Sequence, residues 1–202
     1  MLRRSRYPLV LVVGLLSLAA SGEARAQTAQ WDIISISSFS PLTVNPGGVA
    51  SALAEDGSRI SVTGSGTFVV EKPTMVTGGG IWLTRDPLGS VTGFGTYQVT
   101  EVLTFTEAPG TLPAGTIDNT GTFANLRSGL ALLRITYSDG SKGVLTVNCS
   151  PPVGGPATIP EGISATKGFV DYFYVVPPIA GVDGNRTVFH ETAPAAPAAA
   201  GP

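Results

Sequence analysis

The ionisable side chains with chemical promise in this sequence are Glu101, Asp171 and His190. On the strand-like run from Gly95, strict alternation puts Tyr97, Val99, Leu103 and Phe105 on one face with Glu101 among them, while Thr96, Gln98, Thr100, Thr104 and Thr106 share the other. A carboxylate buried on that apolar face would lose hydration, its pKa would rise, and it could act as a general acid or base. The competing readings are a bulge that turns Glu101 outward, an ion pair with an arginine such as Arg134, or a barrel mouth open to water. Asp171 stands the same way among Phe169, Phe173 and Val175, and the opposite face of that run carries Val170, Tyr172, Tyr174 and Val176. Tyr172 and Tyr174 could offer stacking surfaces with polar tips to a carbohydrate or a flat apolar ligand, with core packing as the default.

His190 is the only histidine, and hence the one side chain whose ordinary pKa lies near neutrality. A lone imidazole and a lone thiol, Cys149, cannot build a zinc centre, and HExxH, CxxC and Walker A patterns are absent. No metal and no cofactor are expected. A Ser-His-Asp arrangement is arithmetically open, yet no G-x-S-x-G elbow occurs. Cys149 alternates with Leu145 and Val147, which favours a buried, inert thiol over pairing between chains. Asp183 and Asn185 lack the oxygen set of a calcium loop, and Asn148-Cys149-Ser150 and Asn185-Arg186-Thr187 match a glycosylation sequon.

These residues must be held by strands. The chain is rich in Gly, Thr, Val and Pro, no window shows a sustained helical period, and short apolar runs are punctuated by turn pairs. Asp56-Gly57, Asp139-Gly140 and Asp183-Gly184 suit type I′ hairpin turns, and Asp86-Pro87-Leu88-Gly89 suits a type I turn. Ten strands are expected: Trp31 to Phe39, Val49 to Glu55, Arg59 to Thr63, Thr67 to Lys72, Met75 to Thr84, Gly95 to Thr106, Gly129 to Ser138, Gly143 to Cys149, Phe169 to Val176 and Arg186 to His190. A weak repeat, Thr63-Gly64-Ser65-Gly66-Thr67-Phe68 and then Thr92-Gly93-Phe94-Gly95-Thr96-Tyr97, with an echo at Gly121-Thr122-Phe123, reads as a strand opened by a glycine bend rather than a ligand-cradling loop. Ser150 to Pro160 reads as a long loop, because its prolines cannot donate to a sheet ladder. The fold class is therefore all-β, one antiparallel, hairpin-rich domain. Its two longest strands tip the choice toward a β-barrel over a β-sandwich.

The flanks point to export. Arg3, Arg4 and Arg6 precede an apolar run from Leu9 to Ala20, and Ala24-Arg25-Ala26 forms an A-x-A cleavage site, so residues 1–26 read as a signal peptide. Arg6 stands where the twin-arginine route wants an apolar residue, which favours the general secretory route. The run is shorter than a bilayer span, so no stable membrane span is expected. Cleavage near Ala26 would leave residues 27–192 as the β-domain and 193–202 as a disordered Ala/Pro tail. Removing the signal takes four arginines and Glu23 away, leaving 8 basic and 13 acidic side chains, a formal net charge of −5. That mild acidity, without a basic patch, speaks against nucleic acid as a partner. Absence of a disulfide pair in an exported chain fits a bacterial protein, secreted or periplasmic.

Two functions remain in view. The favoured one is a non-catalytic exported β-domain, a binding or cell-envelope interaction module with a hydrophobic interior and an aromatic-lined mouth. Its ligand would be a small apolar molecule or, if Trp31, Trp82, Tyr97 and Tyr172 are exposed and coplanar, a carbohydrate. The alternative is a small β-barrel enzyme of isomerase, cyclase or hydrolase type, using Glu101 or Asp171 inside an apolar pocket with Tyr or His190 as partner. Convergence of the two carboxylates on one cavity would favour the enzyme; outward placement would remove its basis.

Overall fold

A computed structural model describes residues 27–179 and 181–192. The expected signal segment 1–26 and tail 193–202 lie outside the described residues. Fifteen strands follow in chain order: β1 (Thr28–Phe39), β2 (Leu42–Pro46), β3 (Ala50–Leu53), β4 (Arg59–Val62), β5 (Ser65–Val69), β6 (Lys72–Val76), β7 (Gly79–Arg85) and β8 (Val91–Ala108). The second half adds β9 (Ile117–Asp118), β10 (Leu126–Tyr137), β11 (Lys142–Cys149), β12 (Gly162–Lys167), β13 (Val170–Tyr172), β14 (Tyr174–Val175) and β15 (Gly181–Thr192). One 3-10 turn, Phe123–Asn125, precedes β10. Among the described residues no helix is long and apolar enough to cross a membrane.

Six strands close an antiparallel barrel in the order β1, β5, β7, β8, β10, β15 and back to β1. Two wings extend it: β11, β12 and β13 continue from β10, and β4, β3 and β14 continue from β7. β2 pairs with β1, and the short β9 runs parallel to β2. The barrel expected from the long strands is therefore present.

Its interior is solid. Trp31, Phe68, Trp82, Tyr97, Tyr137 and Phe189 point inward and are almost fully buried, with Trp82 edge-on to Tyr137 at 5.6 Å and Phe105 between Phe68 and Phe189. Three polar tips find backbone acceptors: Tyr97 Oη donates to Thr63 O (2.7 Å), Tyr137 Oη to Thr166 O (2.8 Å) and Trp82 Nε1 to Thr96 O (3.0 Å), whereas Trp31 Nε1 meets no partner among the described residues. The expected hydrophobic interior is thus a packed core rather than a calyx. The repeated glycine pair has a matching structural reason. A Cβ on Gly66 would lie 2.9 Å from the Trp31 indole nitrogen, and one on Gly95 would lie 3.0 Å from that of Trp82. Each G-x-G stretch is a flat seat for one indole.

Several local expectations are corrected. Gly57 and Gly140 do take positive φ (+82° and +86°), but Asp56 and Asp139 do not, so the turns are not type I′. Gly57 N donates to Ala54 O and Gly140 N to Tyr137 O, which makes each a type I turn closed by a left-handed glycine, and the aspartate caps the amide two residues on. Asp86 to Gly89 repeats the pattern, with Gly89 N donating to Asp86 O. Asp183-Gly184 is no hairpin turn but lies within β15. The run Met75 to Thr84 breaks at Gly78 (φ +106°) into β6 and β7. The run Phe169 to Val176 breaks at Phe173, where the chain leaves one wing and joins the other: β13 pairs with β12 but β14 pairs with β3. Strands β2, β9 and β12 carry too few bulky apolar residues to announce themselves. The long loop Ser150 to Pro160 holds only the isolated bridge of Val153 to Thr111.

β1 is buried on both faces. Ala29, Trp31 and Ile33 face the barrel core, while Asp32, Ile34 and, past a bulge, Ile36 face away from it and are equally covered. The cover is β2 and the crossing segment 109–125. We predict that Gly66→Ala loses about 1–3 kcal/mol by overpacking, since its Cβ would meet Thr77 O at 2.3 Å and the Trp31 ring. Urea denaturation checks this against the exposed neighbour Ser65→Ala, expected within about 0.5 kcal/mol of the parent; equal midpoints for the two variants would refute the seat.

Candidate functional site: a cavity under an external strap

The outward face of β1 and β15 carries Ile34, Ile36 and Val188, which join Val44, Leu126, Leu42 and Leu112 in a second, smaller apolar cluster outside the barrel. Residues 109–125 lie across it as a strap. Thr111 and Val153 exchange backbone hydrogen bonds at one end (2.8 and 3.2 Å). At the other, Asn119 N donates to Val44 O (3.0 Å), Asn119 Nδ2 to Asn45 Oδ1 (2.8 Å) and Gln30 Nε2 to Thr120 O (3.1 Å).

His190 belongs to this second anchor. Its Nε2 lies 2.7 Å from Asp118 Oδ2, both side chains are 2 % exposed, and the Gly121 backbone lies on the ring so closely that a Cβ there would reach His190 Cδ2 at 2.6 Å. Asp118 Oδ1 accepts from Thr120 N (2.9 Å) and Thr120 Oγ1 (2.7 Å). Burial pulls the Asp118 carboxyl upward, but the hydrogen bonds from His190 and Thr120 outweigh it and hold the group at about 2. Asp32, also buried, is pushed up by burial, against the Gln30 hydrogen bond (2.7 Å) and the nearby imidazole. His190 Nδ1 is buried and meets no partner among the described residues, so no hydroxyl or thiol stands within hydrogen-bond reach to be activated. The pair works as a clip on the strap.

Between the strap, the loop from Ser150 and the outer barrel wall lies a cavity of about 240 Å³. Ile34, Ile36, Leu42, Leu112, Leu126 and Val188 make it apolar, with the exposed ring of Phe39 on its rim. Its other side is polar, formed by Glu161, Arg186 and Thr187 beside Cys149. Glu161 brackets two segments, Oε2 accepting from Ser150 N (2.6 Å) and Oε1 from Thr187 N (2.7 Å). Burial pushes its carboxyl up to about 7, although both amides and the Arg186 charge pull it down. Burial, followed by the charge of Glu161, also drives the Cys149 thiol well up, which keeps it protonated and poorly nucleophilic at neutral pH. The Arg186 Nε–H is buried and has no partner among the described residues.

The residues singled out from sequence lie elsewhere. Glu101 sits beside Arg134 across the β8 and β10 ladder, bonded Oε2 to Nε at 2.7 Å, and register shifts on either side of Arg134 turn the pair to the surface. Asp171 is exposed on β13 opposite Thr166. Tyr172 is buried in the main core, whereas Tyr174, past the break, is exposed, stacks on Phe173 at 4.0 Å and donates to Glu55 (2.8 Å). The two tyrosines therefore share no platform. Trp31, Trp82 and Tyr97 are buried with Tyr172, so none of these four offers a flat exposed surface. Asn148 and Asn185 of the two sequons are buried, and Asn185 Oδ1 accepts from Ser51 N (2.7 Å). A second, wider groove of about 570 Å³ lies over β3, β4 and β7, bordered by Arg59 and Arg85.

Glu161 and Arg186 were missed because nothing local marks them. Arg186 does alternate with Val188 and His190 on β15, a polar start to the row that faces out of the barrel, and that was the available signal. Comparison with protein-family models, with curated proteins and with solved structures returns no match to this chain.

Two outcomes follow from these geometries. A carboxyl raised in the folded state stabilises fully below its ordinary value, and that contribution is lost as pH climbs through about 7. Between pH 5 and 8 the protein should therefore lose up to about 3 kcal/mol that Glu161→Gln does not lose, read from urea midpoints of both proteins; parallel pH slopes would rule Glu161 out as the source. Asp118→Ala should cost about 3 kcal/mol by stranding His190. Hydrogen exchange should accelerate across 109–125 while the amides of β8 and β10 stay protected, and uniform acceleration would contradict a local clip.

Proposed function

We propose that the protein is an exported, non-catalytic β-domain that binds a small apolar ligand with one polar end, in the cavity between the barrel wall and the strap. The observation that carries this reading is the pairing of an apolar chamber with Glu161 and Arg186, which meet on its polar side. Ligand sites are typically apolar concavities with a few convergent polar groups that orient the occupant. The barrel interior offers no room, so binding falls to the outer wall. Export rests on the basic start, the apolar run and the Ala24-Arg25-Ala26 site of the sequence.

The non-catalytic half is supported by where the titratable groups stand. Glu101, Asp171 and His190 do not line the cavity. Cys149 and Glu161 do, but Cys149 is a thiol of raised pKa and both Glu161 oxygens are held by backbone amides. A carbohydrate is the weaker ligand, since the aromatic residues that would stack on it are in the core.

Leu112 sits on the strap and faces the chamber, so Leu112→Trp fills it without touching the barrel core. With 1-octanol, octanoic acid and octanamide as probes, at least one should raise the melting temperature of the parent protein and none should raise that of Leu112→Trp. A shift that survives the filled cavity would place binding elsewhere.

A further inference from the structure

Resting on the binding reading above, we infer that the occupant is an aliphatic carboxylic acid, its chain on Ile34, Leu112 and Val188 and its carboxyl group between Arg186 and Glu161. The polar side asks for both halves of that group. Arg186 lines the chamber with a half-buried guanidinium, and Glu161 presents carboxyl oxygens that each already accept one amide and retain a second lone pair. A head group that accepts from the guanidinium and shares a proton with the carboxyl meets both. A hydroxyl meets them less well, because it is neutral and brings the guanidinium no charge-assisted hydrogen bond. The chamber is about eight water volumes in size, which suits roughly ten non-hydrogen atoms, the size of octanoic acid.

Charge decides between an acid and its amide. The acid arrives from water as a carboxylate, and two carboxylates side by side would repel, so one proton must sit between them. Glu161 supplies it: its O–H donates to the ligand carboxylate, which also accepts from the Arg186 guanidinium, and no covalent bond changes. The Glu161 carboxyl, pushed up to about 7, is well placed to be protonated when the ligand enters. Above that pH the complex must draw the proton from solvent, so affinity falls as pH rises. An amide instead needs ionised Glu161 to accept its N–H, and its affinity would fall as pH drops. The groups facing Glu161 are Arg186 and Thr187 of β15 and Cys149 and Ser150 at the end of β11; the strap residues Leu112 and Pro113 and the β1 residues Ile34 and Ile36 carry no charge.

Isothermal titration of octanoic acid, octanamide and 1-octanol against the full mature chain at pH 6, 7 and 8, repeated in buffers of different ionisation heat, tests the assignment. The acid should bind at least tenfold tighter than the alcohol at pH 6, weaken several-fold to tenfold between pH 7 and 8, and take up close to one proton at pH 8. Arg186→Met should erase the acid's advantage over 1-octanol, while Arg186→Lys should restore part of it. Glu161→Gln should flatten the pH dependence. Equal affinity for the three probes, or an amide preferred at pH 6, would leave a binding cavity but overturn the acid. No binding by any probe would overturn both the acid and the cavity's role, and a circular dichroism spectrum matching the parent excludes misfolding of a variant as the cause.

Discussion

The strand β1 is apolar on two sides, and most of what distinguishes this molecule follows from covering both. Trp31 and Ile33 can be buried by closing a barrel around them, but Ile34 on the opposite face of the same strand cannot. A hairpin barrel with a wet exterior would leave that face exposed, at a cost of about 25 cal/mol for each Å² of apolar surface. The chain answers with β2 and the 109–125 strap, a second layer outside the ring. A cavity arises because this layer is a crossing segment held at its ends, not a strand in continuous register with the wall beneath it.

The same double burial sets the electrostatics. Polar groups trapped between wall and strap must be bonded or shift their protonation. Asp118 is satisfied three times over and stays ionised; Glu161, with two amides and the Arg186 charge set against its burial, is left near the midpoint of its titration at neutral pH. Two carboxyl groups in one layer thus end about five units apart, at about 2 and about 7. One serves as a fixed anion in a clip, and the other as a group whose charge depends on what lies beside it.

The barrel was legible in the sequence because turn chemistry and alternation are local. The Asp-Gly turns at 56–57 and 139–140 sit where expected, though their geometry is a type I turn with a left-handed glycine, a distinction that two adjacent residue names do not carry. Asp183-Gly184 misled for the same reason: inside β15 the pair accommodates a register shift against β1 rather than a reversal. Glu101 misled because alternation assumes an unbroken ladder, and the bulges around Arg134 change which face a residue occupies. The cavity was not legible at all. Its polar side is assembled from Glu161, at the end of the loop before β12, and Arg186 on β15, its roof from Leu112 on the strap, and only the closed ring brings them together. The strap itself contains two strand residues, Ile117 and Asp118, too few for any period to register.

The seating of the indoles on glycine has an optical consequence. Trp31 and Trp82 are the only tryptophans in the chain, and both stand inside the ring, shielded from water by the strands that carry Gly66 and Gly95. Their emission reports hydration of the ring core alone. The outer layer, with Phe39 as its nearest ring to the cavity, is dark in that band. Ring and strap are therefore separate spectroscopic compartments: fluorescence follows the one, and events beneath the other pass without colour unless they propagate through β1.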